Sequence, residues 1–176
     1  MSKLKEILLI NIRTDIDLFD VLFIVDGEEI KVNRTLLAAS CVYFKAMLFG
    51  NTNEAKQSKI VLKSTPKEAF KKVIKFIYAD ECFIEDLAEE QLFELINLAH
   101  CYQFEELLKC LLIKITLENY SVDFNVALYD FCSKAQLKDW MNACLNYFDE
   151  IFVSEVNEAN FAKFSKLLVC DLTARD

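Results

Sequence analysis

His100 is the single histidine among the 176 residues. Histidine catalysis needs a carboxylate, hydroxyl or thiol partner, and none stands at a recognisable spacing from it. The seven cysteines are Cys41, Cys82, Cys101, Cys110, Cys132, Cys144 and Cys170. Their number is odd, no pair is CxxC, and most fall on apolar faces of predicted helices. That pattern points to small buried thiols in a reducing compartment, and away from a disulfide framework or a zinc site. The acidic pairs Glu89 with Glu90 and Glu105 with Glu106 lie on exposed helix faces, so they read as solvated surface before acid–base machinery. Neither a GxGxxG turn, a P-loop nor a nucleophile elbow is present. No catalytic residue, metal site or cofactor is therefore expected, and the chain reads as non-enzymatic. One charge stands out. Asp20 interrupts the apolar run LFDVLFIV, where a buried carboxylate without a partner would be costly.

These groups must be positioned by a mostly helical chain. The composition is 54% hydrophobic with fifteen Phe, which excludes general disorder, and only two Gly and one Pro offer tight turns. Residues 2–13 (SKLKEILLINIR) form a short amphipathic helix with Leu4 and Leu8 on one side. Residues 18–25 are β-branched and aromatic and predict a buried strand. Asp26 and Gly27 signal a hairpin, with residues 30–32 as the return strand. Residues 33–50 (NRTLLAASCVYFKAMLFG) carry the 3.6-residue period and predict one helix, apolar over most of its circumference. Asn33 or Thr35 caps its start, and Gly50 ends it as a left-handed residue. Residues 51–58 form a polar exposed loop. A short strand follows at 60–62, and Thr65, Pro66 and Glu68 open the next helix with a capping box. Residues 81–84 predict another short strand, and helices continue to the end of the chain.

Net charge is −8, which disfavours nucleic acid, because phosphate contacts need a Lys/Arg surface. Lys71, Lys72 and Lys75 form the best basic patch, and their spacing puts them on a solvated helix face. The apolar run 7–10 is too short for a signal peptide, and no stretch approaches a membrane span. The expected location is cytoplasmic, with the nucleus as the alternative.

The runs FDVLFIVDGEEIKVNRTLLAASCVYFKAMLFG, IVLKSTPKEAFKKVIKFIYADECFI and LINLAHCYQFEELLKC together resemble the BTB/POZ domain family. Beyond them, LENYSVDFNVALYDFCSKAQLKDWMNACLNYF and VNEANFAKFSKLLVCDL are similar to the helices that follow the BTB domain and begin a BACK domain in cullin-3 adaptors. LAHCYQF and the run into FIYADE look nearest to the BTB-domain-containing protein 9 type. The resemblance covers about residues 18–172. It implies an α+β fold, with a small β-sheet packed with helices over residues 1–117 and an all-α post-BTB segment over 118–176.

The resemblance also implies function. BTB domains of this class commonly homodimerise through the N-terminal helix and the helix at 33–50, so Leu4, Leu8 and Leu37 are expected at that interface. Arg34 matches the position that pairs with the acid at Asp20 in some BTB domains, lining a charged pocket near the dimer interface. A buried ion pair or hydrogen-bonded acid that fixes fold and interface is expected there, with a ligand-reading pocket as the alternative. Asn33 stands where the family usually has His. Many members bind the N-terminal helices of cullin-3 and present a substrate protein for ubiquitination. In those, the loop after the central helix carries an apolar residue, any residue, then Glu. Glu54 matches, but Thr52 replaces the apolar anchor, so weaker cullin-3 binding is expected and Thr52→Met is expected to tighten it; a merely solvated loop is the alternative. Tyr102 and Phe104 are further cullin contact candidates, with aromatic core or rim residues as the alternative. The alternative class is an oligomerisation and corepressor-binding module of a transcriptional regulator, and a potassium-channel tetramerisation domain is a third possibility. The post-BTB helices favour the adaptor.

Overall fold

The computed structural model describes the backbone of residues 3–154 and 158–175. It divides into two compact units at Leu111 and Leu112, within the helix Glu105–Lys114. In the first unit, α1 (Lys3–Thr14) leads through a 3-10 turn, Ile16–Leu18, into β1 (Val21–Val25). Asp15 caps that turn by accepting from the Asp17 N–H at 3.0 Å. β2 (Glu28–Val32) returns antiparallel across Asp26 and Gly27. Both turn residues have positive φ, 49° and 78°, which matches the twist of a two-residue hairpin. β3 (Lys59–Leu62) pairs parallel to β1 on its other side, giving the order β2-β1-β3.

The crossover from β2 to β3 carries two helices rather than the predicted one. α2 (Arg34–Ser40) and α3 (Val42–Phe49) are separated by Cys41, which is fully extended at φ −154° and ψ 158°. The Ser40 hydroxyl bonds back to the Leu37 carbonyl at 2.6 Å, the kind of local side-chain bond that competes with helix propagation. The Cys41 carbonyl then accepts from Lys45 to start α3. Asn33 caps α2 as expected, its Oδ1 accepting from the Leu36 N–H at 2.8 Å. Gly50 does not end α3 in the left-handed region. Its φ is −79°, and glycine is required there for closeness instead: a Cβ would lie 2.2 Å from the Ala46 carbonyl oxygen.

The core of this unit lies between the sheet and the helices. Val21, Phe23 and Val25 point inward from β1. Phe23 meets Phe70 edge-on at 5.4 Å and Phe44 at 6.2 Å. Leu37, Leu48, Ile60 and Val73 complete the fully buried set around them. On the outer sheet face, Leu22 and Ile24 are only half covered. Lys59 and Glu29, which flank β1 from its two neighbours, pair at 3.2 Å across it.

α4 (Lys67–Ala79) starts one residue later than predicted, with Pro66 in the cap position and no side-chain cap. Asp80 closes it in the left-handed region. The strand expected at 81–84 is absent among the described residues. Cys82 and Ile84 are buried on alternation, yet the segment is held by side chains, with Lys72 pairing Asp86 and Lys75 sitting over the Phe83 ring at 3.9 Å. α5 (Glu89–Cys101) and α6 (Glu105–Lys114) follow.

The second unit is helical. After a 3-10 turn, Leu117–Asn119, come α7 (Val122–Lys134), α8 (Lys138–Ser154), α9 (Glu158–Phe161) and α10 (Lys166–Thr173). Ser121 and Ser165 cap α7 and α10, accepting from Phe124 and Leu168. Phe124, Leu128, Tyr129 and Cys132 of α7, Trp140, Cys144 and Phe148 of α8, and Leu168 of α10 are all buried. The Tyr129 hydroxyl donates to Asp171, and the Ser165 hydroxyl to Asp130 at 2.6 Å, so α10 is tied to α7 by polar contacts as well.

Candidate interaction site

The chemistry-bearing residues of the first unit converge at the two ends of the β2–β3 crossover. At its start, the Asn33 N–H donates to the Tyr78 hydroxyl at 2.7 Å and its Nδ2 to the Leu18 carbonyl at 2.8 Å. Asp20 sits just before β1 and is exposed. It is not the buried charge the sequence suggested. Its Oδ1 accepts from the Arg34 backbone N–H at 2.7 Å, and a carboxylate at a helix N-terminus is favoured by the orphan amides there.

Of the two forms expected, the ion pair is not made and the hydrogen-bonded acid is, through the main chain of Arg34; the guanidinium goes elsewhere. Nη1 donates to the carbonyls of Leu48 at 3.0 Å and Ala55 at 3.1 Å, and Nη2 donates to that of Gln57. A planar fork of fixed donors suits several carbonyls at once. Arg34 thus holds both the last turn of α3 and the loop that follows.

That loop bears Thr52 and Glu54. The Thr52 hydroxyl donates to the Met47 carbonyl at 2.7 Å and accepts from the Ala55 N–H at 3.2 Å. A threonine here closes the loop, which gives the departure from an apolar residue a local reason. Glu54 opens a 3-10 turn, Glu54–Lys56, and is half-buried. Burial pushes the Tyr43 phenol above its usual range, and the Glu54 carboxylate adds to that shift. Beside the loop, α3 turns Val42 and Phe49 outward, 65% and 57% exposed. Seven residues apart, they share one helix face. The sequence does not single out either, because a helix from 33 to 50 that is apolar over most of its circumference gives no contrast between inward and outward residues.

Three expected contacts are core residues. Leu37 is 0% exposed, so its side chain cannot reach a second copy. Tyr102 stacks on Tyr43 with ring centroids 4.1 Å apart, and Phe104 meets Phe76 edge-on at 5.4 Å; both are buried. Gln103 between them is in the left-handed region at φ 52°. Leu8 of α1 is exposed, together with Ile7 and Ile10. The side chain of Leu4 lies outside the described residues.

The basic patch on α4 is engaged by the chain itself. Lys71 bonds Glu28 at 2.7 Å, which raises its pKa, and Lys72 bonds Asp86, which lowers that of the acid. The Lys72 side chain is only 11% exposed, so the patch is less solvated than its spacing suggested. Among the described residues no group of His, Cys, Asp and Glu could hold a metal ion. No helix of the described residues is long and apolar enough to cross a membrane. Cys41, Cys132 and Cys144 are buried, and burial pushes each thiol up, Cys144 to about 12.

Comparison with known proteins gives concordant results. A family profile for the BTB/POZ domain matches residues 9–116. BTB/POZ domain-containing protein 9 of Homo sapiens is 30% identical over 162 residues, which are 89% of this chain and 26% of that protein. Kelch-like protein 22 of Mus musculus is 39% identical over 64 residues, 36% of this chain and 10% of that protein. The chain thus spans about a quarter of the first relative's length. Among solved structures, the BTB domain of human gigaxonin superimposes with a TM-score of 0.52 at 20% identity, covering 65% of this chain and 95% of that domain.

Proposed function

Because the chain belongs to the BTB/POZ family, whose domain is a protein-interaction module, we propose that it is a non-enzymatic homodimeric adaptor. In this role it binds the N-terminal domain of cullin-3 and brings a substrate protein to the ubiquitin ligase. The observation that carries the docking half is the surface formed by α3 and its loop. Val42 and Phe49 face solvent on one side of α3, and the loop beside them is held shut with Glu54 half-exposed. An aromatic anchor rimmed by polar groups is the usual anatomy of a protein-binding hot spot. Phe49 thereby supplies the apolar element that Thr52 does not. The match to a kelch-like protein agrees with the resemblance to cullin-3 adaptors.

The dimer half is supported by α1 and the turn after it, which expose Ile7, Leu8, Ile10, Ile16 and Leu18. Several large apolar side chains left exposed close together in sequence favour an association site there. Asp20, through the Arg34 N–H, holds the start of α2. We assign the helices after residue 118 to the post-BTB pair and the beginning of a BACK domain. Buried cysteines that form no disulfide fit a reducing compartment, the cytoplasm or nucleus.

Titration calorimetry with the cullin-3 N-terminal domain tests the docking surface. Phe49→Ala is expected to cost about 1–3 kcal/mol of binding, from the apolar area lost at the centre of the contact. Glu54→Ala weakens binding in the same direction. Equal affinity of wild type and both variants would remove α3 and its loop from the interface.

A further inference from the structure

Resting on the adaptor reading, we propose that Arg34 is the positioning residue of the Glu54 loop: a strut that holds the loop in the conformation presented to its partner. The foot of the strut is anchored at three places. The Arg34 N–H is bonded to Asp20, and the neighbouring Asn33 is bonded to Leu18 and Tyr78. Its head spans three carbonyls. Leu48 lies in the last turn of α3, where a helix leaves its carbonyls without intrahelical partners. Ala55 and Gln57 lie in and just after the 3-10 turn that Glu54 opens. The guanidinium therefore bridges the two ends of the segment between α3 and β3.

Thr52 closes the same segment from inside, through Met47 and Ala55. The two devices differ in reach. Thr52 makes local contacts within five residues, whereas Arg34 sets the loop against α2 and, through it, against the start of β1. Without the fork the loop's own turn opens more often, and the loop loses its fixed relation to the exposed face of α3. A ligand that needs both surfaces then meets a smaller competent fraction, and its apparent affinity falls by that fraction. A lysine cannot replace the fork, because one ammonium on a flexible stem does not span three carbonyls.

The test uses the whole chain with Arg34→Gln and Arg34→Lys. Two readouts are taken: amide exchange at Ala55, Lys56 and Gln57, with Phe70 and Asp80 as controls, and the rate constants for the cullin-3 N-terminal domain. In Arg34→Gln the loop amides are expected to exchange about tenfold faster while the controls stay unchanged. The association rate constant is expected to fall about fivefold, with dissociation close to wild type. Arg34→Lys falls between, and it carries the comparison alone if the Gln variant does not fold. Unchanged loop exchange overturns the proposal, and so does faster exchange with unchanged association. If wild type does not bind cullin-3, the adaptor reading falls, and loop exchange alone decides for or against the strut.

Discussion

Replacing Gly50 by Ala should destabilise the first unit, although backbone angles alone predict the reverse. At φ −79° and ψ −172° an alanine is conformationally acceptable. Such a Gly→Ala change ordinarily stabilises by about 0.4–1 kcal/mol, through lost freedom in the unfolded chain. Here the added Cβ would stand 2.2 Å from the Ala46 carbonyl oxygen and 3.1 Å from its carbon. That neighbour is backbone in the last turn of α3 and cannot swing aside as a side chain can. Relieving an overpacked contact costs about 1–3 kcal/mol. The shift also disturbs the Gly50 N–H bond to the same oxygen, 2.9 Å long and worth about 1 kcal/mol net. Set against the entropic gain, the expected result is a loss of about 1–3 kcal/mol. Urea unfolding followed by far-UV circular dichroism reads it, and amide exchange localises it to α3 and the loop. A Gly50→Ala variant as stable as wild type, or more so, would refute the close-approach explanation.

Thr52→Val removes a hydroxyl that both donates to Met47 and accepts from Ala55, so a local loss of about 1–2 kcal/mol is expected, read as faster exchange at the Ala55 amide. The tightening expected for Thr52→Met is opposed by the same loss, and calorimetry should show little net change in cullin-3 affinity. Thiol reactivity should sort by burial: at neutral pH an alkylating reagent modifies exposed Cys101 and Cys170 before Cys132 and Cys144, as mass spectrometry of digested protein will show. Burial favours the protonated Cys144 thiol, raising it from the ordinary 9.0 to about 12. Its contribution to stability is therefore complete below pH 9.0 and is lost as pH rises toward about 12. Melting temperature measured across that window should fall, and a flat profile would count against it.

What the sequence revealed was local chemistry. Asn33 as a cap and Asp26 with Gly27 as a hairpin turn are each satisfied within a few residues, so their signals survive without tertiary context. The break at Cys41 was hidden for the opposite reason. Leu37, Cys41, Phe44 and Leu48 are all buried, so helical spacing persists although Cys41 itself is extended. The apparent strand at 81–84 shows that burial alternation without a hydrogen-bonding neighbour does not make a strand. Asp20 looked buried because the predicted strand began too early; β1 starts one residue after it, where amide donors and water are available. Arg34 was singled out, but its partners are main-chain carbonyls, which leave no mark in a pattern of side chains. Tyr102 and Phe104 stand on a turn, where a sequence leaves contact and core equally open; both rings turn into the core.

Light scattering of the chain, alone and then mixed with the cullin-3 N-terminal domain, tests the adaptor most directly. The account predicts twice the chain mass of 20.4 kDa at micromolar concentration, and a further rise by two cullin domains per dimer in the mixture. A mass of 20.4 kDa that does not change when the cullin domain is added would contradict it.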